Sequence, residues 1–503
     1  MIFTDVAIQK QAIKRERIDY FLFFIVTCLL ALVVMKGFTA STSDSHQWLS
    51  FDFSFDTALP PFIAIPSDIG FLVFAIIFMV RRKVRFGKKE LLFTALFIAL
   101  ATYRILTYVY FPQTPFYLDV NNPFNNNTLV HLTYNGYPSL IDMVEECIAE
   151  VFFLFYLYLV AVFFFSMRKD EKMLIGRIII CIFAAVAVFM TIYSMIFEWD
   201  GLVNNFYNFI GKDGYENTFI NVKSITSNRN VFGFFITLGV VSQILMLFKK
   251  PNVFSIIVIV YLSLFSLLLH SRTTISICFL LDVLTIVSFV ILYLKKHPVI
   301  SSFFILALIG IILFFLLTLV IFKDSSFSKS FAEQLKKFFD FTTINMRKDH
   351  LSTSFDLVLA NPYFFWIGLG RVPFLSLYHQ YLTIVNYEPY TVTSHCGVLE
   401  SFFFEGAIMG IFYLLIYVAC IAIIIYLFVK KQRAVAVSYG ISFIGLFLHM
   451  LVEPRGMLII DSTSSLFFLI FLLPLINEYS YYLGSKQAII NNRRYDYLSY
   501  RIA

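Results

Sequence analysis

The stretch Ser394-His395-Cys396-Gly397-Val398-Leu399-Glu400, continued by Glu405-Gly406-Ala407-Ile408-Met409-Gly410, marks a change of solvent. A long polar segment ends at Thr393, and an almost unbroken apolar run extends from Cys396 to about Val429. Such a run predicts a membrane helix. At about 20 residues per crossing it is too long for one straight passage, so it tilts or projects from the bilayer. His395 then stands where water meets lipid, at the mouth of that helix. Imidazole titrates nearest neutrality and can accept a proton there without special tuning. The plainer role for such a ring is that of an amphipathic interface anchor.

The remaining sequence repeats the pattern. The chain has 503 residues, 59% hydrophobic and 14% charged, with a mean hydropathy of +0.80. This composition excludes an ordinary soluble globule and predicts an all-α polytopic membrane protein in a single integral domain spanning residues 1–503. A transmembrane barrel would show short alternating segments, and these runs do not alternate. Twelve spans are expected, at roughly 20–36, 66–80, 90–110, 140–166, 174–197, 231–248, 253–269, 274–294, 299–322, 396–429, 434–452 and 462–477. The first is read as a retained span, because no small-residue cleavage site follows it. The six cysteines lie mostly inside apolar runs and imply neither a disulfide framework nor a metal site.

Charge sets the expected orientation. With the N-terminus inside, twenty-five Lys and Arg residues fall on cytoplasmic segments, among them Arg81, Arg82, Lys249, Lys250, Lys430 and Arg433. The short loops opposite hold six: Lys36, Lys212, Lys223, Arg229, Arg272 and Arg455. The positive-inside rule therefore places both termini in the cytoplasm. The basic clusters are short and lie between apolar runs, a pattern that does not suggest a nucleic-acid surface. Loops 37–65, 111–139 and 198–230 are expected outside. So is the largest, 323–395, between the ninth and tenth spans. Its stripes Phe327, Phe331, Leu335, Phe338 and Leu351, Phe355, Val358, Leu359 predict short amphipathic helices, the second ending before Pro362.

Several outer residues have chemical potential. Arg272, in the tight turn His270-Ser271-Arg272-Thr273-Thr274, is either a snorkelling anchor or a guanidinium fork for phosphate. The segment Asn361-Pro362 through Gly368-Leu369-Gly370-Arg371 carries glycines that permit close approach or positive φ. Glu453-Pro454-Arg455 is an ion pair or a substrate contact. Within spans, Arg104 faces the prospect of pairing with Glu146 or Glu150, since a charge in lipid needs a partner or a function. Glu405 lies one residue before Gly406, and Asp282 has no evident role.

In combination these pieces resemble the O-antigen polymerase and O-antigen ligase superfamily of bacterial membrane glycosyltransferases. The resemblance covers about residues 220–415. It rests on Ser227-Asn228-Arg229-Asn230 before a span, Ser271-Arg272 in an outer turn, and a long loop with Arg347, Asn361-Pro362 and Gly368-Leu369-Gly370. It closes with His395, ten residues, and Gly406. Cys396 stands where the family usually has Asn, Ser or Gln. Gly410 follows Gly406 by four residues rather than three, and no R-x10-G pattern starts at Arg272, Arg371 or Arg455.

The resemblance implies a GT-C-like fold in the bacterial cytoplasmic membrane, multi-pass, with the active site facing the periplasm or exterior. It implies metal-independent, cofactor-free, inverting transfer from an undecaprenyl-diphosphate-linked oligosaccharide donor to an acceptor sugar. His395 would be the general base. Arg272, with Arg347, Arg371 and Arg455, would hold the diphosphate. A polymerase is favoured over a ligase by the departure after the histidine, and a chain-length regulator is a conceivable partner. A lipid-linked oligosaccharide flippase is the competing reading from another class.

Overall fold

A computed structural model describes residues 61–82, 88–106, 115–122, 125–136, 169–209, 229–269, 271–294, 342–384, 396–452 and 471–480. It adds scattered positions within 18–25, 140–167, 220–224 and 298–313 and at 482; at some described positions only the backbone is placed. These residues are mostly helical: α1 Pro61–Arg81, α2 Lys88–Ile105, α3 Lys169–Phe197, α4 Trp199–Phe209, α5 Arg229–Lys249, α6 Val253–Leu268, α7 Arg272–Tyr293, α8 Thr342–Leu359, α9 Pro362–Ile367, α10 Arg371–Ile384, α11 Gly397–Val429 and α12 Arg433–Val452. Among the described residues, five helices are long and apolar enough to cross a membrane: parts of α3, α5 and α11, and all of α7 and α12. Shorter apolar helices cover Ile69–Arg81, Thr94–Tyr103 and Val253–Leu268. The chain is thus a helical membrane protein. The expected spans at 20–36, 140–166, 299–322 and 462–477 lie wholly or largely outside the described residues.

Helix α5 is the hub of the bundle, packing against α3, α6, α7 and α12. It is apolar all round, with Phe232, Phe235, Leu238, Val241 and Ile244 all buried, as a central helix must be. Asn252 starts α6 sharply: its side chain accepts a hydrogen bond from the Ser255 N–H at 2.7 Å. The basic clusters gather at one end of this bundle. There Arg82 donates two hydrogen bonds to Glu171, at 2.6 and 2.7 Å, with its guanidinium over Phe78, and Lys249 pairs with Glu478. The opposite end holds the starts of α5 and α7.

A second, smaller core forms a cap beside the bundle. It contains a β-hairpin, β1 Phe116–Asn122 and β2 Asn125–Tyr134, paired antiparallel with Leu118 opposite Leu132 and Val120 opposite Val130. This hairpin is an addition to the otherwise helical architecture that the sequence predicts. Leu118, Val120, Val130, Leu132 and Tyr134 alternate inward with period two and bury against Phe374, Leu377, Tyr378 and Tyr381 of α10 and against Leu357 and Val358 of α8. The second amphipathic stripe is also shifted. Leu357 and Val358 are buried whereas Leu359 is exposed. That helix does stop before Pro362, and Asn361 caps the next one by accepting from the Tyr363 N–H at 2.9 Å. The stripe at 327–338 lies outside the described residues.

The long helix α11 joins cap and bundle. Phe403 and Phe404 enter the cap core, while Met409, Tyr413 and Tyr417 enter the bundle core. Between them the helix breaks at Gly406, with φ 76° and ψ −178°.

Candidate functional site

Two chain turns meet at the end of the bundle opposite the basic clusters. One precedes α5 and delivers Arg229; the other precedes α7 and delivers Arg272. Hydrogen bonds fix both. The Arg229 N–H donates to Asn221 Oδ1 at 3.1 Å, closing the N-terminus of α5. Ser271 Oγ donates to Asn230 Oδ1 at 3.1 Å, and Thr274 Oγ1 donates to Ser271 Oγ at 3.0 Å. The helices meet tightly just below: a Cβ on Gly233 would lie 1.9 Å from Thr274 Oγ1.

This arrangement brings two arginines to neighbouring helix starts. Arg229 and Arg272 are both half-buried. Burial, and secondarily the neighbouring Arg272 charge, lower the pKa of Arg229 from its ordinary value. Like charges close together in a partly dry place are unfavourable unless an anion joins them. Both also sit at the first turn of a helix, where the helix dipole favours negative charge. The pair is therefore equipped to hold a phosphate or diphosphate.

The turn before α5 is held from below by α3 and α4. Glu198 Oε2 accepts from the Ser224 N–H and from Ser194 Oγ, each at 2.8 Å, and Ser224 Oγ donates to the Met190 carbonyl at 2.9 Å. These bonds hold Ser224 at φ 54°, a left-handed conformation that non-glycine residues rarely adopt. Asn205 reaches the same turn from α4.

The second constellation is the junction at Gly406. Gly368, at φ 81°, meets it face to face. A Cβ on Gly368 would lie 2.2 Å from the Phe404 carbonyl oxygen, and one on Gly406 would lie 2.3 Å from the Trp366 carbonyl oxygen. The broken helix leaves carbonyls without helical partners, and the incoming loop supplies the donors. The Gly370 N–H reaches the Phe404 carbonyl at 2.9 Å, and the Leu369 N–H reaches that of Phe403 at 3.4 Å. The Tyr103 hydroxyl donates to the Glu405 carbonyl at 3.1 Å. The Glu405 side chain is buried and accepts from the Tyr413 hydroxyl at 2.8 Å. Glu405 thus helps to build the junction, and the Gly-x-Gly stretch is the mate of Gly406 rather than a simple loop turn.

The other site expectations fare unevenly. Arg347 lies on α8, Arg371 opens α10 and Arg104 falls near the end of α2, each placed by backbone alone. His395, Glu453, Arg455, Glu146 and Glu150 lie outside the described residues. Arg229 is the residue that sequence reasoning passed over as a ligand. Its signal was present in Ser227-Asn228-Arg229-Asn230, read only as part of a motif. No protein-family model, curated protein or solved structure matches the chain.

Proposed function

We propose that this chain is a membrane glycosyltransferase that joins polyprenyl-diphosphate-linked oligosaccharide units into a surface polysaccharide. The observation that carries this reading is the juxtaposition of Arg229 and Arg272 at two adjacent helix starts in an apolar bundle. A diphosphate on a lipid carrier needs a cationic cradle beside lipid, and Arg forks suit phosphate oxygens. The resemblance to the O-antigen polymerase and ligase superfamily, carried by Ser271-Arg272 and His395-x10-Gly406, supplies the reaction class.

In this reaction the anomeric carbon–oxygen bond to the diphosphate breaks while the acceptor hydroxyl oxygen bonds to that carbon from the opposite side. The anomeric configuration inverts. His395, two residues before the start of α11, accepts the hydroxyl proton. Arg229 and Arg272 take up the charge that collects on the departing lipid diphosphate. Arg347, Arg371 and Arg455 are supporting cations. By the distribution of Lys and Arg, the arginine end faces outward from the cytoplasmic membrane and both termini face the cytoplasm.

The test uses purified full-length protein in nanodiscs, supplied only with a lipid-diphosphate-linked repeat unit. A product ladder from wild type that vanishes in Arg272→Ala and His395→Ala supports the reading. Transfer only to a different added acceptor moves the protein to the ligase branch. Passage of the intact lipid-linked glycan across a vesicle bilayer, with none consumed, overturns the enzyme reading for a transporter.

A further inference from the structure

Asn205 is 1% exposed, on the inner face of the short helix α4. Its amide is fully used. Nδ2 donates to the Ile220 carbonyl and to the Leu268 carbonyl, each at 3.0 Å, and Oδ1 accepts from the Ile220 N–H at 2.9 Å. These partners lie on different segments. Ile220 is one residue before Asn221, whose side chain closes the start of α5 on the Arg229 N–H. Leu268 is the last residue of α6, just before the Ser271-Arg272 turn. One side chain therefore stitches the run-up to Arg229 onto the run-up to Arg272.

We infer that Asn205 is a positioning residue for the arginine pair, setting the separation at which the two guanidinium groups grip a diphosphate. The inference rests on the anion-binding reading above. Hydrogen bonds on the segments leading into the two helices tie the positions of their starts. Ser271–Asn230 is one such tie, and Asn205 is another. Only a primary amide has two donors and an acceptor in this arrangement. An aspartate could still accept from Ile220, but it would face two carbonyls with no proton to give.

The experiment measures binding of inorganic pyrophosphate to the full chain in nanodiscs, and protection of arginines from phenylglyoxal by pyrophosphate. The proteins are wild type, Arg229→Ala/Arg272→Ala, Asn205→Ala, and the triple variant, each with its unfolding temperature. Loss of three buried hydrogen bonds is expected to weaken pyrophosphate binding about tenfold in Asn205→Ala. Protection of the arginines should fall to about half at roughly ten times the wild-type Kd for pyrophosphate, and Asn205→Ala should have no further effect once both arginines are gone. A folded Asn205→Ala with unchanged binding and protection overturns the inference, even if its unfolding temperature falls. If Asn205→Ala does not fold, Asn205→Asp and Asn205→Ser decide by the same two readouts. Wild-type binding by the double arginine variant would instead overturn the anion-binding reading itself.

Discussion

The arginine end of the bundle and the cap beside it are built from different materials. The cap core is aromatic and nearly uncharged. Phe374 stacks on Tyr378 and Phe403 at centroid separations of 5.6 and 5.7 Å, with Phe355, Phe402 and Phe404 around them. The bundle end is tied instead by hydrogen bonds to and from the side chains of Asn205, Glu198, Ser271 and Asn221, and it holds two arginines at neighbouring helix starts. Aromatic packing gives stiffness through burial and ring-on-ring geometry. Hydrogen bonds give direction at a cost in stability wherever a partner is missing. The cap is therefore held by packing, whereas the bundle end is held by placed hydrogen bonds that keep Ser224 at φ 54°.

The largest expected effect comes from the place where the two regions meet. Gly406→Ala puts a Cβ into the Trp366 carbonyl at a φ reserved for glycine, and should cost at least about 3 kcal/mol, read as loss of monodisperse protein or a collapse in unfolding temperature. Normal behaviour of this variant would mean that cap and bundle are not locked together there. Next, Arg272→Ala should cut glycosyl transfer about a hundredfold or more while leaving folding intact. Arg229→Met should weaken pyrophosphate binding yet raise the unfolding temperature, because it removes a half-buried charge of the same sign as Arg272. A fall in both would make Arg229 structural and erase the contrast between the regions.

Gly233→Ala should destabilise by about 1–3 kcal/mol through the contact with Thr274 and should recover in part when combined with Thr274→Ala; additive losses in thermal unfolding would refute that contact. The smallest effect lies in the cap. Burial raises the Asp356 carboxyl above its ordinary range, so the folded state holds that proton more tightly than the unfolded chain. Its favourable contribution is present below the ordinary carboxylate pKa of about 3.9 and is lost as pH rises through the raised value. Asp356→Asn should therefore raise the unfolding temperature at pH 7, with the advantage shrinking toward pH 3. A pH-independent difference would contradict this.

The bundle was legible because hydrophobic run length is a local signal. The segments 174–197, 231–248, 253–269, 274–294 and 434–452 each match a helix within a few residues apart from the N-terminal extension of α3. The hairpin was not, because Asn and Pro between Phe111 and Asn127 read as loop and hid the alternation of Leu118, Val120, Val130 and Leu132. Helix α4 escaped for a related reason. Its apolar residues Trp199 and Phe206 are exposed while Asn205 and Asn208 point inward, inverting the usual pattern. Arg272 was visible from its position in a short turn. Arg229 needed the third dimension, since forty-two residues of chain lie between it and Arg272.

The backbone contact between Gly368 and Gly406 bears on how this chain can be recombined. Neither glycine has a side chain through which a substitution at the other could be accommodated. The pair therefore behaves as one inherited unit. A chimera whose crossover falls between residues 369 and 405 would take one glycine from each parent. It would fold only if both parents break the helix at the same depth. Crossovers outside that interval carry the junction across whole, which makes the two glycines the natural limits of the smallest exchangeable block.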